Sequence, residues 1–197
     1  MKTDVIKVSS RGTQFQAALE QADKVCVYKE LSTKNAMHLR LLTEEMMGLM
    51  RSIVGETEGS FWIEDEDNVY ELHLRVTTNM TSDKRDQLLA TASSGKNESA
   101  KGLMGRLRDF FDRGADEDIA SFSSPLMLPG MYDHSSTWEW SMMSYEDALA
   151  DRMRQNDTAA REAWDELEKS VVAKVANDVK VSIKGREVEL TIVKNMA

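Results

Sequence analysis

Two stretches of alternating apolar and polar residues constrain the fold most, because each is typical of a β-hairpin with one buried face. Residues 59–65 and 69–77 read GSFWIED and VYELHLRVT, and Asp67 and Asn68 form the turn between them. A second pair of alternating runs, over 179–193, flanks the turn residues KGR. A lone hairpin is marginally stable in water. Helices from elsewhere in the chain must therefore cover the apolar faces.

The alternation of apolar and polar residues predicts which face of the first hairpin is buried. In its second strand one face carries only Tyr70, Leu72, Leu74 and Val76. The other face carries Glu71, His73 and Arg75. Successive side chains of a strand point to opposite faces of the sheet. We therefore expect the first face to be buried and the second to be solvated.

The remaining periodic segments place helices around the hairpins. Residues 4–9 predict a short strand, and a first helix follows it. Ser32 or Thr33 is the expected N-cap of a longer second helix that ends near Gly55. A further strongly periodic helix is predicted over 158–177. This order predicts an α+β fold, a two-layer α/β sandwich with a mixed sheet of about five strands and helices on one face.

Composition bounds the class of protein. The chain has 197 residues, a net charge of −9 and one cysteine, Cys26. This length suits a single domain over 1–197. The acidic balance argues against nucleic acid as a partner, since phosphate backbones are repelled. No apolar stretch approaches the roughly 20 residues that cross a bilayer, and a lone cysteine implies no disulfide, so a cytoplasmic location without membrane contact is expected.

The second helix carries the residues with chemical interest. Residues 41–53 read LLTEEMMGLMRSI, and Glu44 and Gly48 within them are four positions apart. This spacing puts them on the same side of a helix. A carboxylate there can orient a water against a phosphate, and a glycine lets a ligand approach closely. The alternative is that Glu44 and Glu45 lie in a solvated stripe.

The layout over 4–113 and 158–194 resembles the GHKL superfamily of ATP-binding domains, which have the Bergerat fold. It is most similar there to the anti-sigma-factor serine kinases of bacteria. In that family the long second helix carries a Glu, which positions the attacking water or accepts the substrate proton. An Asn four residues later binds magnesium. Here Glu44 takes the Glu position and Gly48 the Asn position, with Glu45 and Leu49 as the alternative register. In both registers the Asn is absent.

Two further motifs of the family fall in the middle of the chain. The Asp of an Asp-x-Gly-x-Gly motif, which binds adenine, is replaced by Thr78, with Asn79 one residue off and no glycine after it. A glycine-rich turn that holds phosphate at a helix N-terminus corresponds to KGLMGRL, with Lys101, Gly102 and Gly105. The alternative for that last stretch is an ordinary helix start.

The resemblance implies a regulatory protein that binds ATP with Mg²⁺. Its implied partner is another protein, a sigma factor or an anti-anti-sigma-like regulator. If the domain is active, the resemblance implies a protein serine/threonine kinase-like enzyme with Glu44 as the catalytic residue. The departures at Gly48 and Thr78 put that activity in doubt. The alternative is a protein-interaction module without catalysis on a degenerate GHKL fold.

Residues 114–157 are predicted as an irregular insert rich in Met and Trp. Both prolines of the chain, Pro125 and Pro129, lie in it, as do Trp138 and Trp140. Methionine and aromatic residues are enriched at interface centres, so a partner-docking surface or a homodimer contact is one interpretation. The other is that the insert folds back over the domain's own sheet or its nucleotide pocket.

Overall fold

The computed structural model describes residues 1–9, 14–54, 58–77, 138–184 and 187–197. The described part of the chain forms six strands and five helices. In chain order these are β1 (Ile6–Ser9), α1 (Gln14–Tyr28), α2 (Thr33–Val54), β2 (Glu58–Glu66), β3 (Val69–Thr77), β4 (Trp138–Ser141), α3 (Met142–Arg154), α4 (Thr158–Glu168), α5 (Val171–Val175), β5 (Asp178–Lys184) and β6 (Glu187–Asn195).

The strands form one open sheet in the order β1-β2-β3-β6-β5-β4. Every neighbouring pair is antiparallel. The α+β class is confirmed, but the sheet has six strands rather than about five and is antiparallel rather than mixed. A hairpin determines only the direction of its own two strands, and the direction between the hairpins depends on the long-range pairing of β3 with β6.

The turn of the first hairpin is confirmed at Asp67 and Asn68. Their φ angles are 48° and 64°, both in the left-handed region. Two successive left-handed residues are typical of the type I′ turn, which Asn and Asp tolerate better than most residues. This turn sets the register that places Leu72 opposite Ile63. One row of fully buried side chains then crosses four strands: Ile63, Leu72, Ile192 and Val179.

The helices cover the apolar face to which that row belongs. Buried side chains from all five described helices join one core cluster with alternate residues of the strands. In α2 the buried strip contains Leu39, Leu42, Met46 and Met50, at helical spacing. The backbone N–H of Asn35 donates to Ser32 Oγ over 3.3 Å, so Ser32 is the N-cap. The prediction of helices on one face fits this packing.

The helix predicted over 158–177 is divided in two. Lys169 and Ser170 separate α4 from α5. The hydroxyl of Ser170 accepts a hydrogen bond from the N–H of Ala173 at 3.3 Å and so caps the start of α5. Serine competes in this way for backbone donors, which favours a new helix start over a continuous helix.

The C-terminal part of the predicted irregular insert is regular. Within 114–157, the structure describes residues 138–157, which form β4, α3 and the turn before α4. Met142 is buried in the core, and the half-buried ring of Trp140 lies 6.1 Å from that of Tyr145. The positions of Met142 and Trp140 agree with the interpretation in which the segment folds back on the domain. Residues 114–137 lie outside the described part.

The polar face of the sheet is less solvated than its sequence predicts at one position. His73 is only 9% exposed and Trp62 only 6%. The two rings stack in parallel across neighbouring strands, with their centroids 4.8 Å apart. Arg75, on the same face, is exposed as expected and pairs with Glu189 at 2.8 Å. A cross-strand aromatic pair thus buries a histidine that alternation alone assigns to solvent.

Two carboxyl groups lie near the N-terminus of α3, that of Asp178 in β5 and that of Glu146 in α3 itself. Asp178 is buried and accepts a hydrogen bond from the N–H of Met143 at 3.1 Å. Burial, followed by the negative charges of Asp178 and Asp147, raises the pKa of Glu146 above its ordinary value. The charged form of Glu146 is therefore disfavoured in the folded protein.

We predict that Glu146→Gln raises the midpoint of thermal unfolding at neutral pH. The pKa of Glu146 is higher in the folded than in the unfolded protein, so its ionisation destabilises the fold as pH rises past the ordinary glutamate value of about 4.3. Below that pH both states are protonated and the gain should vanish. Thermal unfolding followed by circular dichroism across this pH range checks it. The control is Glu162→Gln at an exposed position of α4. An equal gain at acid pH would contradict the assignment.

Candidate functional site

The outward side of α2 carries two of the predicted site residues. Glu44 and Gly48 are both exposed, one turn apart. The Glu44 side chain is 44% exposed, and its carboxylate lies 3.5 Å from Nε of Arg40. Nη1 of Arg40 in turn lies 2.7 Å from Oδ2 of Asp23 in α1. Glu44 is therefore part of a surface charge network and is held next to a cation.

Glu45 lies further round the helix, towards its buried side. It is half-buried, and Leu49, one turn later, is buried. His38 is two turns before Glu45 on this side. Burial and then the positive charges of Lys194 and Lys34 lower the pKa of His38. This flank of α2 therefore faces the end of β6 rather than α1, and the two registers of the family motif point in different directions.

The second half of α2 packs against the end of β3. A Cβ atom added to Gly59 of β2 would lie 2.8 Å from Cγ1 of Val76 and 3.2 Å from Cε of Met50. Val76 is paired directly with Gly59, and Met50 is two residues beyond Gly48. A side chain at Gly59 would collide with Val76 and with the Arg75 carbonyl oxygen of β3, and it would press on the Met50 side chain of α2. The second half of α2 thus lies over the end of β3, with Glu44 and Gly48 on the side of the helix that faces away from the sheet.

The other predicted site residues cannot be placed in the same way. Thr78, Asn79, Lys101, Gly102 and Gly105 lie outside the residues that the structure describes. The structure thus groups Glu44, Glu45 and Gly48 on one helix, while the assignment of the remaining five stays a prediction.

The chemistry available from the described residues is acceptance of protons and positioning of water. Glu44 and Glu45 supply carboxylates, and Gly48 presents open space, since an added Cβ would meet nothing within 4 Å. Among the described residues, no group of three or more His, Cys, Asp or Glu side chains is arranged to hold a metal ion.

A second, acidic groove lies at the turn of the β2–β3 hairpin. It encloses about 580 Å³ and is lined by Met1, Glu64, Asp65, Glu66, Asp67, Val69 and Glu71. Its buried carboxylate, that of Asp65, is paired with Nζ of Lys29 at 2.6 Å. This ion pair ties α1 to the sheet, and we assign Asp65 a structural role.

An exposed apolar surface was missed by the sequence analysis. Val27 and Tyr28, at the end of α1, are 79% and 75% exposed, and Met37 at the start of α2 is exposed as well. A shallow groove of about 410 Å³ runs along Asp23, Lys24, Val27 and Tyr28. The signal was present in the sequence, because Val27 and Tyr28 fall outside the buried strip that ends at Val25.

The geometry defines a class of fold but not a family. The described part of the chain is an α+β domain in which one helical layer covers one face of an antiparallel sheet. No protein-family model matches the chain, and no curated protein or solved structure was found to be similar to it. None of the described helices is both long and apolar enough to cross a membrane. Membership of the GHKL superfamily remains a prediction.

Two glycines, one enclosed by neighbouring atoms and one open, allow a matched comparison of the effect of Gly→Ala on the free energy of unfolding. We predict that Gly59→Ala destabilises the protein by about 1–3 kcal/mol, because the new methyl group meets Val76 and a backbone oxygen at 2.9 Å. Gly48→Ala should instead stabilise it by roughly 0.5–1 kcal/mol, since alanine suits an open helix position better than glycine. Urea unfolding of both variants measures the difference. Equal effects would contradict the close approach of β2 and β3 at Gly59.

Proposed function

We propose that this protein is a nucleotide-binding regulatory domain that resembles the anti-sigma-factor serine kinases. Its ligand is ATP with Mg²⁺, and the phosphates lie beside the second half of α2. Binding, rather than turnover, is the proposed activity. Phosphoryl transfer depends on metal-assisted positioning, and Gly48 supplies no magnesium ligand where the family has an asparagine.

One observation carries the proposal: the Met50 side chain of α2 and the Val76 side chain of β3 both lie close to Gly59. It seats the half of α2 that bears Glu44, Glu45 and Gly48 beside the end of β3. Thr78 and Asn79, the predicted adenine contacts, are the next residues in the chain after β3 ends. The proposal therefore puts the phosphate-side residues on α2 and the base-side residues directly after β3.

Each residue has a defined role in this proposal. Glu44 orients a water or accepts a proton, and Nε of its neighbour Arg40 lies 3.5 Å from its carboxylate. Gly48 leaves room for a phosphate against the helix. Glu45, in the alternative register, offers a carboxylate to the metal. Lys101 and the backbone N–H groups at Gly102 and Gly105 contact the phosphates.

The alternative function, a protein-interaction module without nucleotide, is favoured by the exposed apolar surface. Val27 and Tyr28 on α1 and Met37 on α2 are all more than half exposed, and exposed apolar patches mark interaction sites. A sigma factor or an anti-anti-sigma-like regulator remains the partner that the resemblance implies. Both functions are compatible if nucleotide binding regulates that partner.

We predict that Mg-ATP and Mg-ADP each raise the unfolding temperature. A ligand at about 100 times its dissociation constant adds roughly 2.7 kcal/mol. For a chain of this size that corresponds to a shift on the order of 5–10 °C. Differential scanning fluorimetry with nucleotide at millimolar concentration measures it, with magnesium alone as the reference. No shift with either nucleotide would overturn the proposal.

A pair of variants localises the effect. Gly48→Gln places a side chain where the phosphates are proposed to lie, so the nucleotide-induced shift should be lost while the fold is retained. Lys34→Gln introduces the same side chain at an exposed position in the first turn of α2 and should leave the shift intact. Equal shifts in both variants would move the site away from Gly48.

A further inference from the structure

The outer side of α1 carries a regularly spaced row of residues that lie outside the strip packed against the rest of the described chain. Ala18, Leu19, Ala22 and Val25 form the buried strip. Outside it, Ala17, Glu20, Lys24 and Val27 recur at intervals of three, four and three residues. This is the spacing of the contact positions of a coiled coil, with charged residues instead of apolar ones at the two middle positions.

The strip is open to solvent. Glu20, Lys24 and Val27 are exposed, and Ala17 is half-buried. The contacts of α1 with α2 lie on its flank, where Asp23 binds Arg40 and the Cys26 thiol lies 3.9 Å from the carbonyl oxygen of Ala36. Neither Glu20 nor Lys24 forms an ion pair with a described residue. The charges of the strip are therefore free to pair with another molecule.

We propose that this strip binds the same strip of a second copy of the chain, with the two α1 helices antiparallel about a two-fold axis. In an antiparallel pair centred on Ala22, Glu20 faces Lys24 of the second copy, and the reverse contact repeats it. Val27 then packs over the small Ala17 of the second copy. The charged layers lie in the middle and the apolar layers at the two ends.

Charge complementarity selects the antiparallel arrangement. A parallel, in-register pair would place Glu20 against Glu20 and Lys24 against Lys24, and like charges at these positions repel. The antiparallel pair makes two attractive contacts from the same four side chains. Tyr28, next to Val27, extends the apolar end of the contact.

The dimer should be weak and dependent on concentration. The helix is about 22 Å long, so a single helix pair buries less than the roughly 1,200 Å² typical of a stable interface. Two of its four layers are charged. Nucleotide binding at α2 is not required for this association, so a failure of either proposal leaves the other standing.

Sedimentation velocity over about a hundredfold range of protein concentration tests the proposal at low salt. Wild-type protein should shift from monomer towards dimer. Glu20→Lys and Lys24→Glu should each remain monomeric, because each places like charges in both central layers. An equimolar mixture of these two variants should form a heterodimer, since one chain then carries two lysines and the other two glutamates.

The controls are Glu162→Lys and Arg161→Glu, which change the net charge equally at exposed positions of α4. They should dimerise as the wild type does, and an equimolar mixture of the two should contain no larger fraction of dimer than either variant alone. A wild-type monomer at every concentration would overturn the proposal. So would dimers of either single α1 variant, or an α1 mixture that stays monomeric.

Discussion

The packing of α2 across the apolar face of the sheet is the interaction on which the rest of the structure depends. Its buried strip joins residues of β2, β3, β5 and β6 in one core. Its far end lies over Gly59 of β2, and the Met50 side chain is close to that glycine. Because a helix is rigid over this length, that contact also determines where Glu44 and Gly48 lie. The contact contributes no chemistry to the candidate site, but it sets the position of the helix that carries it.

Local sequence signals predicted the local elements well. The left-handed turn at Asp67 and Asn68 and the alternation around it determine the first hairpin, and Ser32 caps α2 as expected. The errors arose where tertiary contacts decide. Alternation assigned His73 to solvent, but the stacked ring of Trp62 buries it. The direction between the two hairpins comes from their long-range pairing, which no local pattern encodes.

For the candidate site, too, the local features were predicted from the sequence and the features set by tertiary contacts were not. Four-residue spacing correctly placed Glu44 and Gly48 on one side of α2, and the structure shows this side to be outward. The pairing of Glu44 with Arg40, and of Arg40 with Asp23, required the packing of α1 against α2. The exposure of Val27 and Tyr28 was not predicted, because only the buried strip of α1 was used to orient the helix. Surfaces that a monomer leaves uncovered are found by asking which periodic residues fall outside its core.

The central claim is that nucleotide binds where the second half of α2 meets the end of β3. An NMR titration of isotope-labelled protein with Mg-ATP tests it most directly, because every backbone amide reports separately. The account predicts that the amide signals of Glu45, Gly48 and Thr77 shift together and saturate with one dissociation constant, while those of α3 stay in place. Signals that do not move, or that move only in α3 and β4, would contradict it.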